Sequence, residues 1–143
     1  MRQSILRYFI SLLLVSLCIC SATSIFIISG SMKEDSERKM MYSVKLIEYN
    51  LDYSKDLNTQ IETLNPLAFS DDTRISVIDE KGKVLADTYK NDIFSNHLKR
   101  EEVQQALHSS NHEGYAMRRS ETTNQPLLYA AYYKDNHIIR LSI

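Results

Sequence analysis

Tryptophan is absent, and glycine occurs three times, proline twice and cysteine twice in 143 residues. Both cysteines, Cys18 and Cys20, fall inside one apolar run. The rest of the chain therefore has no disulfide, no thiol nucleophile and no thiolate metal ligand. A fold without cross-links must rely on packing. A strong charge of either sign is lacking too. The formal net charge of −1 excludes the basic footprint of a nucleic-acid-binding domain. Its placement is uneven, because Arg2 and Arg7 are the only charged residues among the first 31. Beyond them fifteen basic residues face eighteen acidic ones, an ordinary solvated surface. About 110 residues remain after the apolar segment, enough for one small domain with a single core.

Charge is missing altogether between Tyr8 and Met32. Spanning a bilayer as a helix takes roughly 20 apolar residues, so this run suffices. The expected organisation is a cytoplasmic N-terminus over 1–7 and a transmembrane helix over 8–29. A cleaved signal peptide fits less well, because its apolar stretch is usually about 7–15 residues before a small-x-small site. Here Ser21-Ala22 is followed at once by Ile25-Phe26-Ile27-Ile28. A lipoprotein signal wants a small residue before its cysteine, and Leu17 and Ile19 stand there instead. Serines and threonines in the run can bond back to the helix's own carbonyls. Arg2 and Arg7 place the N-terminus in the cytoplasm. Everything after Ser31 is then extracytoplasmic, and the chain is expected at the cell membrane.

From Met32 to Leu64 there is no glycine or proline. Met40, Val44, Ile47 and Leu51, then Leu57, Ile61 and Leu64, recur at spacings of 3 and 4 with one slip of phase at Ser54. That period marks one face of a helix, expected over 32–65 and about 50 Å long. Part of the stripe is expected to pack on the domain and part to pair with a second copy as a homodimer. The plainer alternative is that the whole stripe is core. Pro66 ends the helix or begins a short turn.

The remainder, 66–143, alternates. Arg74–Asp79 and Val84–Asp87 read as a hairpin around Gly82. Residues 92–107 read as mostly helical, with Glu101 and Glu102 in a first turn where acids oppose the helix dipole. Tyr115–Ser120, Leu127–Tyr133 and His137–Ile143 read as three further strands, the second apolar on both faces and so covered on both. The fold class is α+β: a transmembrane helix, a long helix, then a domain with a central antiparallel sheet of about five strands.

In order, the chain presents Arg74-Ile75-Ser76-Val77-Ile78-Asp79, then Gly82-Lys83-Val84-Leu85-Ala86-Asp87, Asn96-His97, Arg100, Glu102 and Ala106. Gly114, then Arg118, Ser120 and Thr122, then Leu128-Tyr129 and Ala131 complete the pattern. It resembles the extracytoplasmic PAS-like, or single-Cache-like, sensor domain of phosphate-regulon-type bacterial sensor histidine kinases, over residues 72–143. Glu101 stands where that family often has proline, and Thr88 where it often has serine. Both keep the local chemistry, a helix first turn and a hydroxyl. The resemblance assigns Arg74, Asp79, Gly82, Asp87, Asn96, Glu102, Gly114 and Thr122 to the family's structural motif. It implies an input module of two-component signalling whose kinase core lies in a longer receptor. The chain reads as that receptor's N-terminal piece.

Candidate ligand contacts are His97, Arg100, Arg118, Ser120 and Tyr129. Arg118, Ser120 and Thr122 share one strand face, and Arg118 with Arg100 can clamp an anion. The plainer reading pairs these arginines with Asp87 and Glu102 and uses them to hold the sheet to the helix. His97 equally suits ordering the turn before that helix. Tyr129 and one of Tyr132 or Tyr133 can line a cavity or simply fill the core. His108 and His112 have helical metal spacing, but Ser109-Ser110-Asn111 between them favours a loop and no third ligand is evident, so no metal is expected. Asp71-Asp72 and Glu101-Glu102 are paired acids without a base or nucleophile. No catalytic residue, enzyme activity or cofactor is expected in this chain. The expected partner is a second copy, with a small molecule or protein outside the membrane as the signal. The rival class is a membrane-anchored interaction module that holds no small molecule.

Overall fold

The computed structural model describes residues 2–68, 73–89, 96–120 and 124–143. Its first element, α1, is a helix over Arg2–Asn50. The chain divides into two compact units at Ser36/Glu37. In the first, Leu12, Phe26 and Ile27 are exposed, and the helix is long and apolar enough to span a membrane. Hydroxyls are satisfied within the helix: Ser11 Oγ and Ser16 Oγ each donate to the carbonyl three residues back at 2.9 Å. Thr23 Oγ1 reaches Cys20 O at 2.9 Å. Gly30 does not interrupt α1, since nothing approaches it and a single glycine costs a helix only about 1 kcal/mol.

The second unit holds the rest of α1 and all the later elements. The helix expected over 32–65 is in fact broken. α1 stops at Asn50, and α2 covers Leu57–Leu64. The corner is built by polar side chains that compete with helical bonding. Asp52 accepts from Ser54 N at 3.0 Å and Ser54 Oγ at 2.6 Å. Gln60 clasps Asp52 from both sides, accepting from its N–H and donating to its C=O, each at 2.8 Å. Asp56 then caps α2 by accepting from Thr59 N at 3.0 Å. The phase slip at Ser54 is therefore a corner, and it lets Ile61 turn back into the same core as Met40, Val44 and Ile47. Pro66 opens a single 3₁₀ turn over Asn65–Leu67.

The five strands are β1 (Arg74–Asp79), β2 (Val84–Asp87), β3 (Glu113–Arg119), β4 (Pro126–Lys134) and β5 (His137–Ser142), with α3 (Glu101–His108) between β2 and β3. They form one antiparallel sheet in the order β2-β1-β5-β4-β3. The fold class is α+β, as the sequence indicates. Asp135 and Asn136 both have positive φ, which gives the tight β4–β5 turn a twist matching the strands. Gly82, at φ +82, closes the first hairpin, and Asp79 Oδ1 accepts from Lys81 N and Lys83 N there.

Alternation sorts the strand residues between two layers. Ile75, Val77, Ala130, Ile139 and Leu141 pack under the last turns of α1, with α2. Ile78, Val84, Ala131 and Ile138 pack under Val103 and Ala106 of α3. The helix expected over 92–107 begins only at Glu101. Before it, Asn96 makes a bridge to Lys83 and His97 N donates to Gly82 O at 2.7 Å. The backbone here is thus committed to the hairpin turn, not to helical bonding. Residues 90–95 lie outside the described set.

Candidate functional site

Beneath α3 the sheet carries charge where a core would normally be apolar. Antiparallel pairing places Asp87, Ser76, Arg140, Ala131 and Gly114 in one row across all five strands. Arg74, Ser142, Tyr129 and Ala116 form the next row. Asp87, Ser76 and Arg140 are buried, so their charges and hydroxyl must be satisfied internally.

Most are. Arg74 grips Asp87 through Nε and Nη2, each at 2.9 Å, a two-point carboxylate clamp. Ser76 Oγ donates to Asp87 Oδ2 at 2.7 Å and accepts from Arg140 Nη2 at 3.0 Å. Tyr89 N also donates to Asp87. Glu102 descends from α3, fully buried. Its Oε1 accepts from Arg118 Nη2 at 3.2 Å and lies 3.6 Å from Arg140 Nη1. Tyr129 lies face-on below, with the Arg118 guanidinium 3.9 Å and the Arg140 guanidinium 5.7 Å from its ring centre. Such stacking suits a cation held away from water. Burial, with Arg74 and Arg118 nearby, pushes the Arg140 guanidinium down to about 10 against the pull of Glu102 and Asp87. It remains charged at neutral pH.

Local sequence makes this arrangement reachable. Gly114 has no side chain, and a Cβ there would sit 1.9 Å from Glu102 O. Ala131 beside it carries only a methyl group. The backbone of α3 can therefore descend onto β3 and β4 until the Glu102 carboxylate meets the two guanidiniums. Glu102 occupies the first turn of α3, where the helix dipole favours a carboxylate.

Of the residues singled out from sequence, Arg118 and Tyr129 are brought together with Glu102. Arg118 pairs with Glu102, whereas Asp87 pairs with Arg74. Arg100 occupies the N-cap position of α3 without a side-chain capping bond. His97 is buried beside the hairpin turn, and Asn96 ties that turn through Lys81 O and Leu98 N, each at 2.9 Å. Ser120 is buried and anchors the β3–β4 connection by backbone bonds to Gln125 and Asn124. Thr122, Asp71 and Asp72 lie outside the described residues. Arg140 and Ser76 join the network although sequence reasoning did not single them out. The available signal was a polar residue at a covered position within an otherwise apolar strand.

Guanidiniums exchange no protons near neutrality, so Arg74, Arg118 and Arg140 can bind and orient but do not act as general bases. Among the described residues no three His, Cys, Asp or Glu side chains are grouped to hold a metal ion. The sheet's other side is tied to α1 by Lys45–Glu113 at 2.6 Å and Lys134–Glu48 at 2.9 Å. An open groove of about 470 Å³ lies along α1, lined by Arg38, Lys39, Tyr42, Ser43 and Ala68.

No protein-family model matches the chain, and no curated protein matches it in sequence. Two solved structures share its fold. One is the YkuI protein of Bacillus subtilis, which has an EAL domain and was solved with its substrate c-di-GMP and calcium. It is 17% identical over 76% of this chain, with a TM-score of 0.53, and the match spans 30% of that protein. The other is a methyl-accepting chemotaxis protein from Vibrio parahaemolyticus, 18% identical, with a TM-score of 0.51 over 81% of this chain and 90% of that one. At these identities the likeness is one of fold.

Proposed function

We propose that this chain is the extracytoplasmic signal-sensing input module of a membrane sensor histidine kinase, with residues 66–143 forming a PAS/Cache-like sensor domain. In this reading the chain is not itself an enzyme and the kinase core belongs to the parent receptor. The observation that carries it is the charged cluster buried beneath α3, in a sheet domain that follows an apolar helix. A cluster of this kind recognises a polar signal, and the same sheet is tied by its other face to α1. The signal acts by favouring one of two packings of similar energy between sheet and α1. Because α1 continues from Asn50 back to Arg2, a small rotation or shift passes along one helix. Tyr42 and Tyr49, exposed one heptad apart on α1, suit pairing with a second copy.

The test is to read the gene beyond codon 143. A second apolar span followed in frame by a kinase core supports the proposal. A stop codon, or an unrelated domain, overturns it in favour of an anchored interaction module.

A further inference from the structure

Among the described residues, the network beneath α3 does not balance within itself. Arg74 and Asp87 form their own pair, with Ser76 bonded to the carboxylate. Arg118 and Arg140 are left sharing the single carboxylate of Glu102, and both use the same oxygen, Oε1. Arg140 is 2% exposed and Glu102 fully buried. Yet the Nε–H of Arg118, the Nε–H of Arg140 and Oε2 of Glu102 are buried with no hydrogen-bond partner among the described residues. Each such group loses its water without return. Two unused donors and one unused acceptor thus belong to side chains that already meet at Glu102 Oε1.

We propose that this cluster binds a small carboxylate that also bears a hydroxyl or ammonium group. Its carboxylate oxygens accept from Nε–H of Arg118 and Arg140, its hydroxyl or ammonium donates to Oε2 of Glu102, and Tyr129 forms the floor. This inference rests on the sensor reading above and names the ligand class of that sensor. A hydroxy acid's net negative charge also offsets the second guanidinium, which Glu102 alone leaves unmatched among the described residues. Arg118, whose side chain is 23% exposed against 3% for Arg140, marks the side from which the ligand arrives. Arg140 stays charged at neutral pH, so both donors are available. A bound ligand bridges α3 and the sheet through Glu102, and so it changes how firmly α3 is held.

The test uses the full chain in lipid nanodiscs, with L-lactate, L-alanine and acetate titrated to millimolar concentration while thermal unfolding is followed. L-lactate or L-alanine should raise the unfolding midpoint saturably. Acetate, which lacks the donor, should bind about tenfold more weakly or not at all. Arg118→Lys keeps the charge but has no Nε–H, and should weaken the preferred ligand by about tenfold. Glu102→Gln should narrow the gap between acetate and the preferred ligand, an effect that a purely structural clamp does not produce. Two results overturn the proposal. One is no saturable shift with any probe in a chain whose circular dichroism shows it folded, in which case water fills the three groups. The other is a shift that both substitutions leave unchanged, which places binding elsewhere. A kinase core beyond codon 143 with no shift here removes the ligand class alone. Binding here without a kinase core removes the kinase reading alone.

Discussion

Gly114 shows how a single residue sets the site. A methyl group at its Cβ position would lie 1.9 Å from Glu102 O and 2.7 Å from Ala106 N, both backbone atoms of α3. Backbone cannot swing aside as a side chain does, so α3 would have to lift. Overpacking of this kind costs about 1–3 kcal/mol, and lifting α3 also pulls Glu102 from the guanidiniums. Gly114→Ala should therefore lower stability by about 2 kcal/mol or more in chemical denaturation. An unchanged midpoint would show that α3 is not held at this distance. The position of Gly114 in the motif was legible in the sequence; the reason for it was not, because the clash is with a helix remote in sequence. Arg118 was legible through strand alternation, whereas Tyr129 could be read only as lining a cavity or filling the core. Arg140 was not, since only the β1-β5-β4 order brings it beside Ser76 and beneath Glu102. Nor did sequence decide between Asp87 and Glu102 as the partner of Arg118, because that choice is set by the descent of α3.

At the scale of elements, the strands were the readable part. Their patterning and turn residues gave all five to within two residues at either end: β-branched residues mark β1, β2 and β5, and apolar or aromatic residues between polar turns mark β3 and β4. The helices were less readable. A 3.6-residue period identified the face of α1 but not its end, since the apolar spacing resumes after the corner and hides it. The corner is fixed by short polar side chains, Asp52 above all. Bonds from Ser54 Oγ, Lys55 and Ser54 N hold the Asp52 carboxyl down at about 2, against an ordinary value of 3.8. A lowered carboxylate pKa stabilises the corner above about pH 4 and is lost as pH falls through about 2. The Ser54 amide should report this directly. Its NMR chemical shift should titrate with a midpoint near 2, and Asp52→Asn should abolish the transition. A midpoint near 4 would mean that the carboxyl is not bonded as described, and that the corner has another cause.

For the molecule as a whole, what matters is how the apolar part of α1 is disposed, and sequence and structure bear on different halves of that question. Length and hydropathy make the helix fit to cross a bilayer, and the back-bonded Ser11, Ser16 and Thr23 remove the polar groups that lipid would penalise. Direction depends instead on flanking charge, with Arg2 and Arg7 before the span and mixed charge after it. Basic residues are retained on the cytoplasmic side, so a reporter enzyme that works only outside the cytoplasm should be active when fused after Leu64. A reporter that works only inside should be silent at the same junction. The reverse pattern would invert the topology and place the Arg118–Arg140–Glu102 cluster in the cytoplasm, where its ligand would be a metabolite of the cell and not an external signal. With residues 1–143 expressed by themselves, mass analysis of the membrane fraction separates retention from cleavage: an intact 16.6 kDa product supports the anchored reading. A soluble product lacking the first two dozen or so residues would mean that α1 carries no signal inward, because the helix that transmits it would have been removed.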